Sequence, residues 1–189
     1  MLPLLAFDTS VASCAAALLC GDRIILRDEP MAKGQAERLI PMLEEVLAEG
    51  GIGWRDLAAI AVGTGPGNFT GVRISVAAAR GLALGLGIPA VGVTRLEALA
   101  YGLPRPVTVI EDARRGEVYV QEFTAAGAGE ARVMQAFGTS GPAPAMPVVE
   151  AIARIGAVRA ATPQPRPAPF YLRGAEAMPP ADPPPVILD

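Results

Sequence analysis

Three strings in this sequence carry residue types that could do chemistry: Asp8-Thr9-Ser10, the run Gly63-Thr64-Gly65-Pro66-Gly67-Asn68-Phe69-Thr70-Gly71, and Asp112-Ala113-Arg114-Arg115-Gly116-Glu117-Val118-Tyr119. Asp8 closes a short apolar run, and an acid followed by hydroxyls at the C-terminal end of a strand is where α/β sheets place ligand contacts. Equally, Asp8 could cap a turn, with Thr9 bonded to backbone. The glycine run opens a helix, so its backbone N–H groups could converge on an anion. It is neither a Walker loop nor the dinucleotide fingerprint. Its plainer reading is a tight turn in which Asn68 or Thr70 caps the helix. The third string suits either a hairpin tip or a functional loop. The chain has no histidine. A Ser-His-Asp triad, a Cys-His dyad, histidine-ligated metal and imidazole acid–base chemistry are excluded, whereas carboxylate-held magnesium and carboxylate acid–base chemistry are not.

The elements that would position these strings follow from apolar periodicity. Residues 2–8, 12–19 and 22–29 read as three meandering strands, with Cys20-Gly21-Asp22 as a hairpin turn. Residues 35–49 form a helix with an apolar stripe at Ala36, Leu39, Ile40, Leu43, Val46 and Leu47, ended by Gly50-Gly51 and bent or delayed by Pro41. A strand over 58–63, a helix over 72–86, a strand over 88–93 and a short helix over 94–101 imply parallel pairing in an α/β sheet. The helix over 72–86 is apolar or small on nearly every side, with Arg73 and Arg80 as its only charges. Such a helix must be covered all round: one side by its own sheet, the other by the helix over 35–49 or by a partner protein. Leu103 to Pro106 reads as a boundary, dividing the chain into 1–103 and 104–189. Strands at 107–111 and 117–123 and a helix over 148–155 follow. Residues 125–147 are weakly patterned, alternating prolines over 163–169 favour an extended segment, and the tail from Met178 reads as a strap or partly disordered.

Composition sets further bounds. The chain has 189 residues, 51% of them hydrophobic, and a net charge of −3, a poor footprint for a protein that grips nucleic acid alone. Cys14 and Cys20 lack zinc or redox spacing and read as buried thiols in a reduced compartment. The opening residues lack a positively charged leader, and apolar runs are broken before the length of a membrane span, so a cytoplasmic protein with no membrane contact is expected.

Taken together, the three strings, with Leu5-Ala6-Phe7 leading into the first, Val72-Arg73 ending the second, and Phe170-Tyr171-Leu172-Arg173 near the end, resemble the TsaB family, formerly YeaZ. This is the glycoprotease-like branch of the actin/Hsp70/sugar-kinase superfamily. The order and spacing agree across residues 2–123. The resemblance implies an α/β, actin-like ATPase fold of two lobes with ribonuclease-H-like sheets, the second lobe reduced. It also implies a non-catalytic scaffold that pairs with its paralogue TsaD, which carries a histidine-ligated metal and threonylcarbamoylates adenosine 37 of tRNAs reading ANN codons. TsaE, a small ATPase, joins the pair and TsaC makes the donor. ATP is used by the partners, and no cofactor is implied for this chain. tRNA is met only through the complex, and a homodimer on the same surface is a further expectation. TsaD-like members carry a His-x-x-x-His pair on the first long helix, where this chain reads Lys33-Gly34-Gln35-Ala36-Glu37-Arg38. The expected partner surface comprises Leu39, Leu43, Val72, Arg73, Val76 and Arg80. The expected vestigial phosphate-type loop comprises Asp8, Thr9, Gly65, Gly67, Asn68 and Thr70. An independent nucleotide-binding or phosphotransfer enzyme of the same fold is the alternative, and an autonomous peptidase finds no candidate residue pair.

Overall fold

A computed structural model describes residues 2–136, 138 and 140–173. The expected tail from Met178 lies outside them. The first three strands form an antiparallel meander, β1 (Leu4–Asp8), β2 (Ser13–Cys20) and β3 (Arg23–Pro30). The chain then forms α1 (Gln35–Gly50), β4 (Ala59–Gly63), α2 (Phe69–Leu86) and β5 (Ala90–Val93). Strand β4 lies parallel to β1, and β5 lies parallel to β4, giving the order β3-β2-β1-β4-β5. This is the ribonuclease-H-like arrangement of an actin-like lobe, and it directs the C-terminal ends of β1 and β4 to the same edge of the sheet.

Every residue of β1 and β4 is buried, as expected of strands covered on both faces. Leu5 and Phe7 point to the side of α1 and α2, where they pack with Leu18, Leu39, Leu43, Val46, Ile60 and Val62. Leu4 and Ala6 point the other way, because successive side chains alternate. That second face is built largely from alanine: Ala6, Ala15, Ala17, Ala59 and Ala61. It is covered by α4 (Val148–Arg159) through Val149, Ile152 and Ala153. A Cβ added to Gly156 would lie 2.4 Å from the Cβ of Ala61, so small residues on both sides let this helix approach closely. Packing therefore does not follow the expected division at 103/104: α4, from the later half of the chain, completes the core of the first sheet.

The second sheet holds β6 (Val107–Arg114), β7 (Glu117–Thr124), β8 (Gly127–Ala128) and β9 (Arg132–Gln135). Both β8 and β9 pair with β7, and every pairing is antiparallel. The resemblance implies a second ribonuclease-H-like sheet. Here, among the described residues, the stretch after β7 supplies two short strands, and α4 crosses to the first sheet. A small core of Leu96, Leu99, Val109, Tyr119 and Phe123 joins this sheet to α3 (Arg95–Ala100).

Some boundaries move. Helix α1 runs unbroken through Pro41, which faces outward. Helix α2 starts at Phe69 rather than 72, because Asn68 caps it by accepting from the Gly71 N–H at 2.9 Å. By length and composition alone α2 could cross a membrane, contrary to the expected broken runs. Within this fold it buries Val72, Ser75, Val76, Ala79 and Ala83.

Candidate functional site

Asp8 ends β1 and Gly63 ends β4, and the turns that follow them are pressed together. Asp8 is 3% exposed. Its Oδ1 accepts from the Ser10 N–H at 2.8 Å and its Oδ2 from the Ser10 hydroxyl at 2.9 Å. The Arg95 guanidinium lies 3.6 Å from Oδ2 and also pairs with Glu111 at 2.7 Å. One cation at the start of α3 thus neutralises an acid of the first sheet and an acid of the second.

The glycines of the loop are there for close approach. A Cβ on Gly63 would sit 2.5 Å from Asp8 Oδ1, one on Gly67 2.3 Å from the Ser10 carbonyl oxygen, and one on Gly71 2.0 Å from the Thr9 carbonyl oxygen. Gly65 has a φ of 88°, a left-handed conformation that favours glycine. The Thr9 hydroxyl donates to the Gly71 carbonyl at 2.6 Å, and the Asn68 N–H donates to the Ser10 carbonyl at 2.6 Å. The backbone of Gly67 and Gly71 is thus packed directly against Thr9 and Ser10. Of the six residues of the expected phosphate-type loop, Asp8, Thr9 and Asn68 make these internal bonds, Gly65 and Gly67 permit the packing, and Thr70 is exposed.

Beside this packed turn lies an open cleft of about 740 Å³ between the two sheets. Ser10, Gly67, Asn68 and Phe69 line one wall. Glu111, Asp112, Arg114, Arg115 and Tyr119 of the β6–β7 hairpin line the other, so the third string forms a hairpin that borders the cleft. Arg114, Arg115 and Gly116 turn that hairpin with φ of 62°, 56° and 75°. Burial pushes the Tyr119 phenol upward in pKa, with Arg114 working against it.

The extended segment with alternating prolines, 163–169, leads into a strap over this region. The Phe170 N–H donates to the Thr64 carbonyl at 2.8 Å. Tyr171 stacks against Phe69 with ring centroids 5.1 Å apart and accepts from Arg73 Nε at 3.0 Å. The Arg73 guanidinium lies 3.7 Å from the centre of the Phe69 ring, and Arg173 pairs with Glu117 of β7. The Phe-Tyr-Leu-Arg string thus ties the start of α2 to the second sheet.

The expected partner surface requires correction. Leu39, Leu43, Val72 and Val76 are all buried in the chain's own core and have no surface to offer. Only Arg73 and Arg80 of that set are exposed. Along its length the outward face of α2 includes Arg73, Ala77, Arg80, Gly81 and Leu84, with Leu84 82% exposed. Ala77, Gly81 and Leu84 were missed because α2 is apolar all round. Their signal lay in the three- and four-residue steps between Arg73, Ala77, Arg80 and Leu84.

The chain matches the family model described as TsaD, tRNA N6-adenosine threonylcarbamoyltransferase, over residues 29–178. It is 38% identical over 125 residues to the tRNA threonylcarbamoyladenosine biosynthesis protein TsaB of Escherichia coli, covering 64% of this chain and 54% of that protein. The TsaB of Haemophilus influenzae is 38% identical over 126 residues, 64% of this chain and 53% of that one. The chain thus spans about half the length of the curated relatives it matches. The structure of YeaZ from Pseudomonas aeruginosa superposes with a TM-score of 0.72 at 28% identity, covering 91% of this chain and all of that one. With its sheet order, its three strings and this span of matches, the chain belongs to the family of TsaD, tRNA N6-adenosine threonylcarbamoyltransferase, on its TsaB (YeaZ) branch.

Proposed function

We propose that this chain is a non-catalytic subunit that pairs with a TsaD-type protein in making threonylcarbamoyladenosine on tRNA. The observation that carries the reading is the outward face of α2, where Ala77, Gly81 and Leu84 form an apolar strip that the chain does not cover. The commitment of both Asp8 carboxylate oxygens to Ser10 inside the fold supports a scaffold rather than a catalytic role. TsaE joins the complex, tRNA is met only through it, and the ATP is consumed by the partners in the cytoplasm. Exposed Leu84 and Ala77 replace Leu39 and Val76 as the residues to test. Leu84→Glu should fold as the parent does and weaken pairing by about 2 kcal/mol or more, the cost of desolvating an unpaired charge. Size-exclusion chromatography with TsaD from the same organism reads the pairing. A tRNA-modification assay with TsaC, TsaE, threonine, bicarbonate and ATP reads the function. Normal co-elution of Leu84→Glu places the interface elsewhere, and modification that proceeds without this chain overturns the reading.

The open cleft supports a second reading, an independent nucleotide-binding or phosphotransfer enzyme, because Asn68 and Arg114 offer polar groups on facing walls. Calorimetry with ATP and magnesium tests it, and absence of heat from the isolated chain removes it.

A further inference from the structure

The cleft between the two sheets opens beyond the C-terminal ends of β1 and β4, where open α/β sheets take ligands. Its volume of about 740 Å³ falls within the range of small-molecule sites. Much of its surface is apolar, with Val11, Pro66, Phe69 and Leu172 among the lining. Its polar groups divide by kind. The acceptors are engaged: Glu111 by Arg95 at 2.7 Å, and Asp112 by the Arg114 N–H at 2.8 Å.

The donors differ. Tyr119 is 7% exposed, with its ring packed in the core of Leu96, Leu99 and Phe123. A buried phenol ordinarily has a hydrogen-bond partner. The Tyr119 hydroxyl bonds to none of the described residues, yet it is not sealed from solvent, and the cleft is where Tyr119 meets it. Burial raises the phenol's pKa and the charge of Arg114 works against it, so guanidinium and hydroxyl share one end of the cleft. On the opposite wall Asn68 commits its side-chain oxygen to the Gly71 N–H, which leaves its amide NH2 as a donor.

We infer that the cleft binds a small organic carboxylate with an apolar or aromatic body, its carboxylate held by the Arg114 guanidinium and the Tyr119 hydroxyl. The inference goes beyond the pairing proposed above and does not depend on it. A guanidinium presents parallel N–H groups to the two oxygens of a carboxylate, and the phenol adds a third donor. The body of the ligand lies against Phe69 and Leu172, where burial takes it out of water. A phosphate ester fits less well on two counts. Amides at the start of α2, which would cradle a phosphate, are turned inward: the Asn68 N–H donates to the Ser10 carbonyl and the Gly71 N–H to the Asn68 side chain. Glu111 and Asp112 on the hairpin wall also repel a dianion more than a monoanion.

The test is a titration of the full, isotope-labelled chain with phenylacetate, read from backbone amide shifts in NMR spectra. Phenylacetamide, its neutral analogue, and ATP with magnesium are titrated alongside. Phenylacetate should shift the amides of Asn68, Arg114 and Gly116 to saturation, and phenylacetamide should bind about tenfold or more weakly. Tyr119→Phe keeps the ring in the core and should weaken phenylacetate about fivefold. Arg114 has a left-handed φ of 62°, a backbone that Asn tolerates, so Arg114→Asn should keep the hairpin and weaken phenylacetate about tenfold or more. Amide shifts away from the cleft report whether each variant keeps its fold, and the comparison of the two analogues on the parent chain decides the role of the carboxylate even where a variant does not. Shifts that fail to saturate, equal affinity for phenylacetamide, or unchanged affinity in either folded variant overturn the inference and leave the pairing untouched. ATP that binds at these amides in preference to phenylacetate also overturns it, and assigns the cleft to the phosphotransfer reading.

Discussion

Replacing Gly71 with alanine separates a packing loop from a phosphate cradle. The new Cβ would lie 2.0 Å from the Thr9 carbonyl oxygen and 3.0 Å from its carbon. An ordinary carbon–oxygen contact is about 3.3 Å, so the end of β1 and the start of α2 must part by more than ~1 Å. Backbone cannot rotate aside as a side chain can. The shift breaks the Thr9 hydroxyl bond to Gly71 and strains the Asn68 cap and the Asn68 to Ser10 bond. Overpacking of this kind costs about 1–3 kcal/mol, and each buried hydrogen bond lost adds about 1 kcal/mol. Gly71→Ala should therefore lose about 3–5 kcal/mol, a large share of the roughly 5–15 kcal/mol that holds a domain together. Gly81 is the control: a Cβ there meets nothing within 4 Å. Gly81→Ala should gain about 0.5–1 kcal/mol from helix propensity alone. Urea unfolding followed by circular dichroism measures both. A phosphate cradle predicts instead that Gly71→Ala keeps its stability and loses nucleotide affinity. A loss below about 1 kcal/mol for Gly71→Ala refutes the packing argument.

Other expectations follow from the same contacts. Arg95→Ala leaves Asp8 buried without its cation and Glu111 without its partner, and should cost about 3 kcal/mol in urea unfolding; a neutral result would mean Ser10 alone satisfies Asp8. Glu97 is held below its ordinary value of 4.5: burial pushes it up, but bonds from Arg159 and from the Thr94 N–H and hydroxyl outweigh burial. A lowered acid contributes stability above its unfolded pKa and loses it as pH falls, so Glu97→Gln should flatten the acid limb of stability between about pH 5 and 3. An unchanged limb refutes that assignment. Burial, and then the charge of Glu29, push the Cys14 thiol up to about 11, so it should resist iodoacetamide at pH 8 while half-buried Cys20 reacts, as read by mass spectrometry of the native protein.

The strands of the first sheet were legible because their runs are short, apolar and bounded: Leu4 to Asp8 and Ala59 to Gly63 are buried on both faces and read that way. Gly50-Gly51 marks the end of α1, where Gly51 takes a left-handed φ of 70°. What failed was the division of helix faces. Val76 belongs to a helix apolar on nearly every side, where periodicity cannot say which side meets the sheet, whereas Leu39 lies on the apolar stripe of α1, which the chain's own first sheet covers. The role of the glycine string was legible only as two alternatives, since the steric fit of Gly71 to Thr9 joins residues 62 apart in sequence. Strands β8 and β9 were missed because two to four residues, mostly exposed, carry no alternation to read. The placement of α4 escaped because its fit depends on alanines in strands more than 80 residues earlier.

The position of α4 bears on how the chain is made. Synthesis delivers residues 4–93, all five strands of the first sheet, before the helix at 148–159 that covers its alanine face. Until that helix emerges from the ribosome, Ala6, Ala17 and Ala61 face water, and the sheet is a platform without a roof. Closure of the first core is then among the last tertiary events, joining residues more than 80 positions apart, a long-range contact of the kind that slows folding. A nascent chain stalled before residue 148 would display an adhesive alanine surface to whatever chaperone or neighbouring chain is nearest.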